Sequence, residues 1–483
     1  MADRYYTGAT NGLWSVQLNW SGNTFPTIGD IVYASGKTII INQNITVGTI
    51  TTGPGPLASS GGTFSVSGGS YTLNTNISAG TTSCLTISGL TTGQTLTING
   101  NTVGGTIALA YGISKSSGGT LNVIGNISGG TNTSAYGLFN AFTQPINITG
   151  DSYVTSGGSI VNNANTTITM RGNVYNYGGY HNLYNTATGT INLIGNIYFN
   201  PQVLGAYALN NVTTGVINMT GNSYNTNIYN TASSYCIYQA GSPPGAINVV
   251  GDVYAGANLT SSFGALNNGT GTISITGNVY SYGAGQVLYN NSTGVINLTS
   301  PNGIVQSTPV GIALIYNAGT TPATINIIGN ISGSSSSSPS RGYVVQNTSS
   351  GIINITGNTV VRDVSIAAAT GLIHNTGGSA IINIFGNVSG GSVANSIAIS
   401  INGSGILNIS GNVYGGSSPN TSPAIYSNNA SARINITGSC VAGSAYPAVY
   451  TVATGIIHTL TGSLVYTNGI SPFLITSNRL QIT

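Results

Sequence analysis

The chain is 483 residues long, has a formal net charge of +3, and carries only 3% Asp, Glu, Lys and Arg, with no Glu at all. Typical globular domains carry about 25%, and the eight bases here (Arg4, Lys37, Lys115, Arg171, Arg341, Arg362, Arg433 and Arg479) are too scattered to bind nucleic acid through counterion release. No apolar run is long enough for a membrane-spanning helix, and the 40% of hydrophobic residues, set in alternation, supply a core and argue against disorder.

Residues 1–48 stand apart. The opening Met1-Ala2-Asp3-Arg4-Tyr5-Tyr6 lacks the apolar segment of a secretory signal, and the stretch holds both tryptophans, Trp14 and Trp20, with Phe25, Pro26 and Asp30. Stacked β architectures leave unpaired strand edges at their ends and need a cover, so 1–48 reads as an N-terminal cap and attachment segment. Residues 49–98 read as irregular turns with inner strands at 63–66, 85–87 and 96–98. From 99 to 465 a Gly-Asn or Gly-Asp step recurs after an alternating apolar strand. Its glycines are Gly100, Gly125, Gly150, Gly172, Gly195, Gly221, Gly251, Gly277, a degenerate copy at Ser300, then Gly329, Gly357, Gly386, Gly411, Gly438 and Gly462. The fourteen intervals from Gly100 to Gly462 average about 26 residues, the signature of a stacked repeat. Residues 466–483 lose the motif and read as a C-terminal cap plugged by Phe473, Leu474 and Ile475.

Within a full repeat, Gln286-Val287-Leu288-Tyr289-Asn290 forms one strand block. A polar turn ends at Gly294, and Val295-Ile296-Asn297-Leu298-Thr299 forms the next. Aliphatics alternate with Asn in the second block, so they point inward and Asn outward. Glycine at the corner permits positive φ, and the following Asn or Asp tolerates the left-handed region better than most residues. A third short strand follows, as in Val279-Tyr280. The expected fold is all-β: a single-chain, three-sided, right-handed parallel β-helix of sixteen or seventeen coils, about 80 Å long at the usual strand spacing. Stacking aligns an outward Asn ladder of Asn147, Asn192, Asn218, Asn248, Asn297, Asn326, Asn354, Asn383, Asn408 and Asn435. It also aligns Tyr175, Tyr198, Tyr224, Tyr254, Tyr280 and Tyr414, a candidate contact stripe for interfaces or sugar rings, or a stack that only stiffens the body.

Catalytic chemistry finds little to work with. Glycoside hydrolysis needs two carboxyls about 5 to 9.5 Å apart, yet Asp151 and Asp252 sit at corners four turns apart. Asp30 lies in the cap, and Asp363 sits beside Arg362 as an expected ion pair. His181, His374 and His458 are many turns apart, which argues against a metal centre or a triad. His374 reads as a substitute for the Tyr of Tyr289 and Tyr316, and His458 as a substitute for a ladder Asn. Cys84, Cys236 and Cys440 have no paired spacing and read as small core residues. No catalytic, cofactor or metal residue is expected.

The segment Arg4-Tyr5-Tyr6, Trp14, Asn19-Trp20-Ser21, Pro26-Thr27-Ile28-Gly29-Asp30-Ile31-Val32-Tyr33 and Ile45-Thr46-Val47-Gly48 resembles the start of β-helical phage structural proteins such as tail fibres, tailspikes and other virion appendages. Similar openings occur in bacterial surface adhesins. The resemblance covers about 50 residues and implies a virion component joined to other virion proteins through its N-terminal segment; the missing acidic clusters of depolymerising tailspikes argue for a non-enzymatic one, and the missing secretory signal for assembly in the host cytoplasm. It further implies a homotrimer, with host-surface glycan as a candidate contact and no nucleic acid or membrane insertion. A cell-surface adhesin or extracellular filament is the alternative, ahead of a polysaccharide depolymerase or an ice-binding protein.

Overall fold

The computed structural model describes every residue except 1, 53–61, 133, 155, 157, 178–180, 201–205, 226–233, 242–243, 256–261, 282–285, 307–313, 321, 334–342, 362–372, 392–396, 417–422, 430, 442–448, 452–456, 461–463, 466–472, 476–479 and 483. The expected Arg362–Asp363 pair and the corner glycine Gly462 lie outside the described residues. The chain is all-β, with parallel strands stacked as a β-solenoid of about 14 turns of about 26 residues. The repeat spacing alone leads to sixteen or seventeen. Helix among the described residues is limited to two single 3-10 turns, Gln17–Asn19 and Ser21–Asn23. The residues cluster into two compact units, Met1–Ser223 with Gly245–Asn248, and Tyr224–Pro244 with Val249–Thr483.

Each regular turn contributes three strands. In the second unit these are Leu288–Asn290, Val295–Thr299 and Ile304–Gln306. Each pairs in parallel with its equivalent one turn on: Leu288 with Ile315, Val295 with Thr324, Ile304 with Ile331. Alternation puts Ile296 and Leu298 inside, essentially without exposure, each such side chain worth about 1.5–3 kcal/mol of burial.

The corner between the second and third strands is built up along the chain. Tyr71–Ser78 is one unbroken strand whose first half pairs with Leu96–Asn99 and whose second half pairs with Thr102 and Val103. One turn later the same path is broken by Gly100, at φ +159°, and the corner persists from there. The first 48 residues already belong to the stack, since Asp3–Tyr5 pairs with Ile31–Tyr33, and Gly12–Leu13 with Ile39 and Ile40. Across the outer edge of Asp3–Tyr5, Ser21 Oγ accepts the Tyr5 N–H at 3.1 Å and the Asn19 carbonyl accepts that of Thr7 at 2.8 Å. Tyr6, Trp14, Trp20 and Phe64 pack beneath this cover, with Trp14 and Trp20 ring centroids 4.6 Å apart. At the other end, Phe473–Ile475 and Leu480–Ile482 extend the ladders by pairing with Val449–Thr451 and with 458–460.

Candidate contact surface: the outward columns

The corner is held by a column of side-chain acceptors. Each corner Asn Oδ1 accepts the main-chain N–H of the corner residue one turn on: Asn126 from Asp151 at 2.9 Å, Asn173 from Asn196 at 3.0 Å, Asn358 from Asn387 at 2.9 Å. None of these residues has positive φ; among the described residues, the non-glycine ones that do are Asn11, Asn23, Ser35 and Leu109. The left-handed tolerance expected of the corner Asn is therefore not why Asn is used. Its amide oxygen satisfies a peptide N–H that the bend leaves without a ladder partner. The glycine before it is required twice over, as at Gly277, where φ is +151° and a Cβ would fall onto the Gly251 carbonyl oxygen. The degenerate copy keeps the column, for the Asn302 N–H reaches Asn278 Oδ1 at 3.0 Å through a corner two residues longer.

Asp151 and Asp252 occupy this column in the role of Asn. Asp151 Oδ1 accepts the Asn173 N–H and Asp252 Oδ1 that of Asn278, each at 2.7 Å. Their second oxygens each accept a tyrosine hydroxyl at 3.4 Å, Tyr153 on Asp151 and Tyr254 on Asp252. Of the other described carboxylates, Asp3 Oδ2 accepts the Tyr5 hydroxyl at 3.2 Å, and Asp30 is buried in the cap. It accepts the N–H groups of Ala2 and Thr27, the Thr27 hydroxyl and Arg4 Nε. Burial alone would raise its pKa; the hydrogen bonds from Thr27, Ala2 and Arg4 outweigh burial and bring it down to about 2.

The outward Asn ladder runs amide to amide. Asn218 Nδ2 donates to Asn192 Oδ1 and Asn248 to Asn218, each at 2.9 Å. In the second unit Asn326, Asn354, Asn383, Asn408 and Asn435 each donate to the Asn one turn earlier at 2.7–2.8 Å. Asn122 belongs to it too, accepting from Asn147 at 2.9 Å, while Thr169 interrupts it between Asn147 and Asn192. Two residues further along the same strands lies an exposed column mixing Thr149, Thr220, Thr276 and Thr356 with Ile124, Ile194, Val250, Ile328 and Phe385.

Two runs of the tyrosine stripe, one in each unit, stack face to face. Tyr153, Tyr175 and Tyr198 lie 5.2 and 5.0 Å apart between centroids, with planes within 10°. Tyr224, Tyr254 and Tyr280 lie 4.7 Å apart at each step. Tyr414 is excluded: its register neighbours are Ser389 and Val441, because the third strands between Tyr280 and Tyr414 carry Val305, Ser332, Val360 and Ser389 at this position. Since the rings spend their faces on one another, what they offer outward is edges and hydroxyls. A second aromatic series lines the remaining sheet, with Tyr289 on Tyr316 at 5.0 Å and Tyr343 on His374 at 4.1 Å.

His374 does hold the position of Tyr289 and Tyr316, and its ring nitrogens meet Gln346 Nε2 at 3.4 Å and Asn402 Nδ2 at 3.1 Å. His458 does not replace a ladder Asn: its strand register sets it against Ile434, and Thr459 against Asn435. The displacement by one residue follows from that strand's pairing. His181 lies between the rings of Tyr184 and Tyr207, and burial brings its pKa down to about 4. Cys84, Cys236 and Cys440 are buried, and no disulfide joins them among the described residues. Among the described residues no three or more His, Cys, Asp or Glu gather as metal ligands, and no helix is long and apolar enough to cross a membrane.

Two buried features were not read from the sequence. One is Lys115, without exposed surface, its Nζ donating to the carbonyls of Ser117 and Gln144 at 3.1 and 3.3 Å. Burial brings its pKa down to about 8. The other is an inward Asn column in each unit: Asn140, Asn162, Asn185 and Asn211, which follow Lys115 in register, in the first, and Asn267, Asn290, Asn317, Asn347 and Asn375 in the second. Asn267 Nδ2 donates to the Gly271 carbonyl at 2.8 Å, closing its own turn, and to the Val295 carbonyl at 3.1 Å, tying the next. A signal was present: Asn recurs four residues before Gly at Asn185, Asn211, Asn267, Asn290 and Asn347. A Cβ on Gly294 would strike the Asn267 amide of the preceding turn. No family model matches the chain, no curated protein matches it, and no solved structure matches it.

Proposed function

We propose that the protein is a non-enzymatic structural component of a virus particle, a stiff β-helical appendage or surface element that contacts the host. The observation that carries this reading is the triple amide tie of each unit. Corner, outward and inward Asn columns fasten successive turns, while the surface offers hydroxyls, amides and β-branched side chains in rows. Such a body resists bending and proteolysis and makes contacts that salt barely screens, which suits a spacer exposed outside cells. The resemblance of residues 4–48 to phage structural proteins sets the context, with attachment through the N-terminal segment and a homo-oligomer as the assembly. Mass spectrometry of purified particles tests it: the protein should be present in fixed stoichiometry. Its recovery from the surface of uninfected cells, and not from particles, would replace this reading with the adhesin or extracellular filament.

A further inference from the structure

We propose that the two tyrosine stacks are sites of oxidative cross-linking, at which a one-electron oxidant joins successive turns through dityrosine bonds. Three observations meet here. The rings of Tyr153, Tyr175 and Tyr198, and of Tyr224, Tyr254 and Tyr280, are parallel neighbours at 4.7–5.2 Å, so two phenoxyl radicals in one stack need no diffusion to meet. Each stack has a carboxylate on one hydroxyl, Asp151 on Tyr153 and Asp252 on Tyr254. The described corner column is otherwise mostly Asn, so its two acids fall where a phenol must lose a proton. The rings are also half-exposed, within reach of an oxidant in solution.

The reaction balances without a bound cofactor. Each phenol gives one electron to the oxidant and its proton to the carboxylate or to water, leaving a phenoxyl radical. Two radicals couple between the ring carbons ortho to oxygen. One carbon–carbon bond forms, two ring C–H bonds break, and the hydrogens return as the two phenol protons. The net loss is two electrons and two protons per link. Burial foremost, and then Asp151, hold the Tyr153 phenol above its ordinary pKa. At neutral pH the oxidant therefore meets a protonated phenol, and a positioned acceptor matters. The product would be a covalent rung between turns that otherwise share only hydrogen bonds and packing.

The test is photo-oxidation of the intact protein with tris(bipyridyl)ruthenium and persulfate, followed by dityrosine fluorescence and peptide mass spectrometry. Links should join 153 to 175, 175 to 198, 224 to 254 and 254 to 280 within one chain, at a yield independent of protein concentration. Tyr414, with Ser389 and Val441 as register neighbours, is the internal control and should stay unlinked. Tyr175→Phe should abolish both links of the first stack and spare the second. Asp151→Asn restores the residue found at Asn126 and Asn173, so the fold is kept, and it should slow the first stack at least about threefold while the second is unchanged. Absence of intrachain links, or linking of Tyr414 as fast as the stacks, would overturn the proposal. Equal rates in Asp151→Asn and the parent would remove the role given to the carboxylate.

Discussion

Asn267 and Asn354 belong to the same unit and are chemically identical, yet their replacement by Ala should differ severalfold in cost. Asn267 is fully buried and makes three hydrogen bonds, donating to the carbonyls of Gly271 and Val295 and accepting the Gly269 N–H at 3.2 Å. Truncation leaves the Gly269 N–H unpaired, at about 1–3 kcal/mol when water cannot reach it, and takes one donor from each of the Gly271 and Val295 carbonyls, at about 0.5–1.5 kcal/mol each, since Gly271 keeps the Val295 N–H at 3.0 Å. Part of this is recovered by relaxation of the turn, so about 3 kcal/mol is expected. Asn354 makes two ladder bonds, to Asn326 and from Asn383, at 2.8 and 2.7 Å, on an outward face where water replaces them. About 1 kcal/mol is expected there. Asn267→Asp separates hydrogen bonding from volume. It keeps the shape but sets a carboxylate against two carbonyls, and should cost more than Asn267→Ala. Equilibrium urea unfolding gives the three values, with hydrogen exchange of the 267–299 turn as a local readout. Equal costs for Asn267→Ala and Asn354→Ala, or an Asp variant as stable as the parent, would refute the assignment of the inward column as the main polar tie.

Further expectations follow from the corner, the cap and the buried lysine. Gly277→Ala forces a Cβ onto the Gly251 carbonyl at φ +151° and should cost about 3 kcal/mol or more in the same unfolding assay. Asp30, held at about 2 against 3.8, contributes about 2 kcal/mol that is fully present above pH 4 and is lost as pH falls through 2. Asp30→Asn should flatten that acid limb, read by Trp14 and Trp20 fluorescence. Lys115, at about 8 against 10.5, binds its proton more weakly folded than unfolded, so stability should rise between pH 8 and pH 10.5. Lys115→Met should remove the rise and show its largest advantage over the parent below pH 8.

The sequence by itself determined the winding. A glycine corner about every 26 residues, aliphatics at alternate positions and a scarcity of charge leave a parallel solenoid as the form that buries one face of each strand. The outward direction of Asn192 or Asn354 was legible for the same reason, since alternation within a five-residue strand is local. Register between turns decided the rest. Turn lengths vary from one repeat to the next, so a fixed offset along the chain does not reveal which side chains touch; only the inter-strand hydrogen bonds do. They brought Tyr153 into a stack and left Tyr414 out, moved His458 off the Asn column, and placed Lys115 at the head of a buried amide row. They also gave the corner Asn its purpose, because an acceptor aimed at the next turn has no meaning until the next turn is in place.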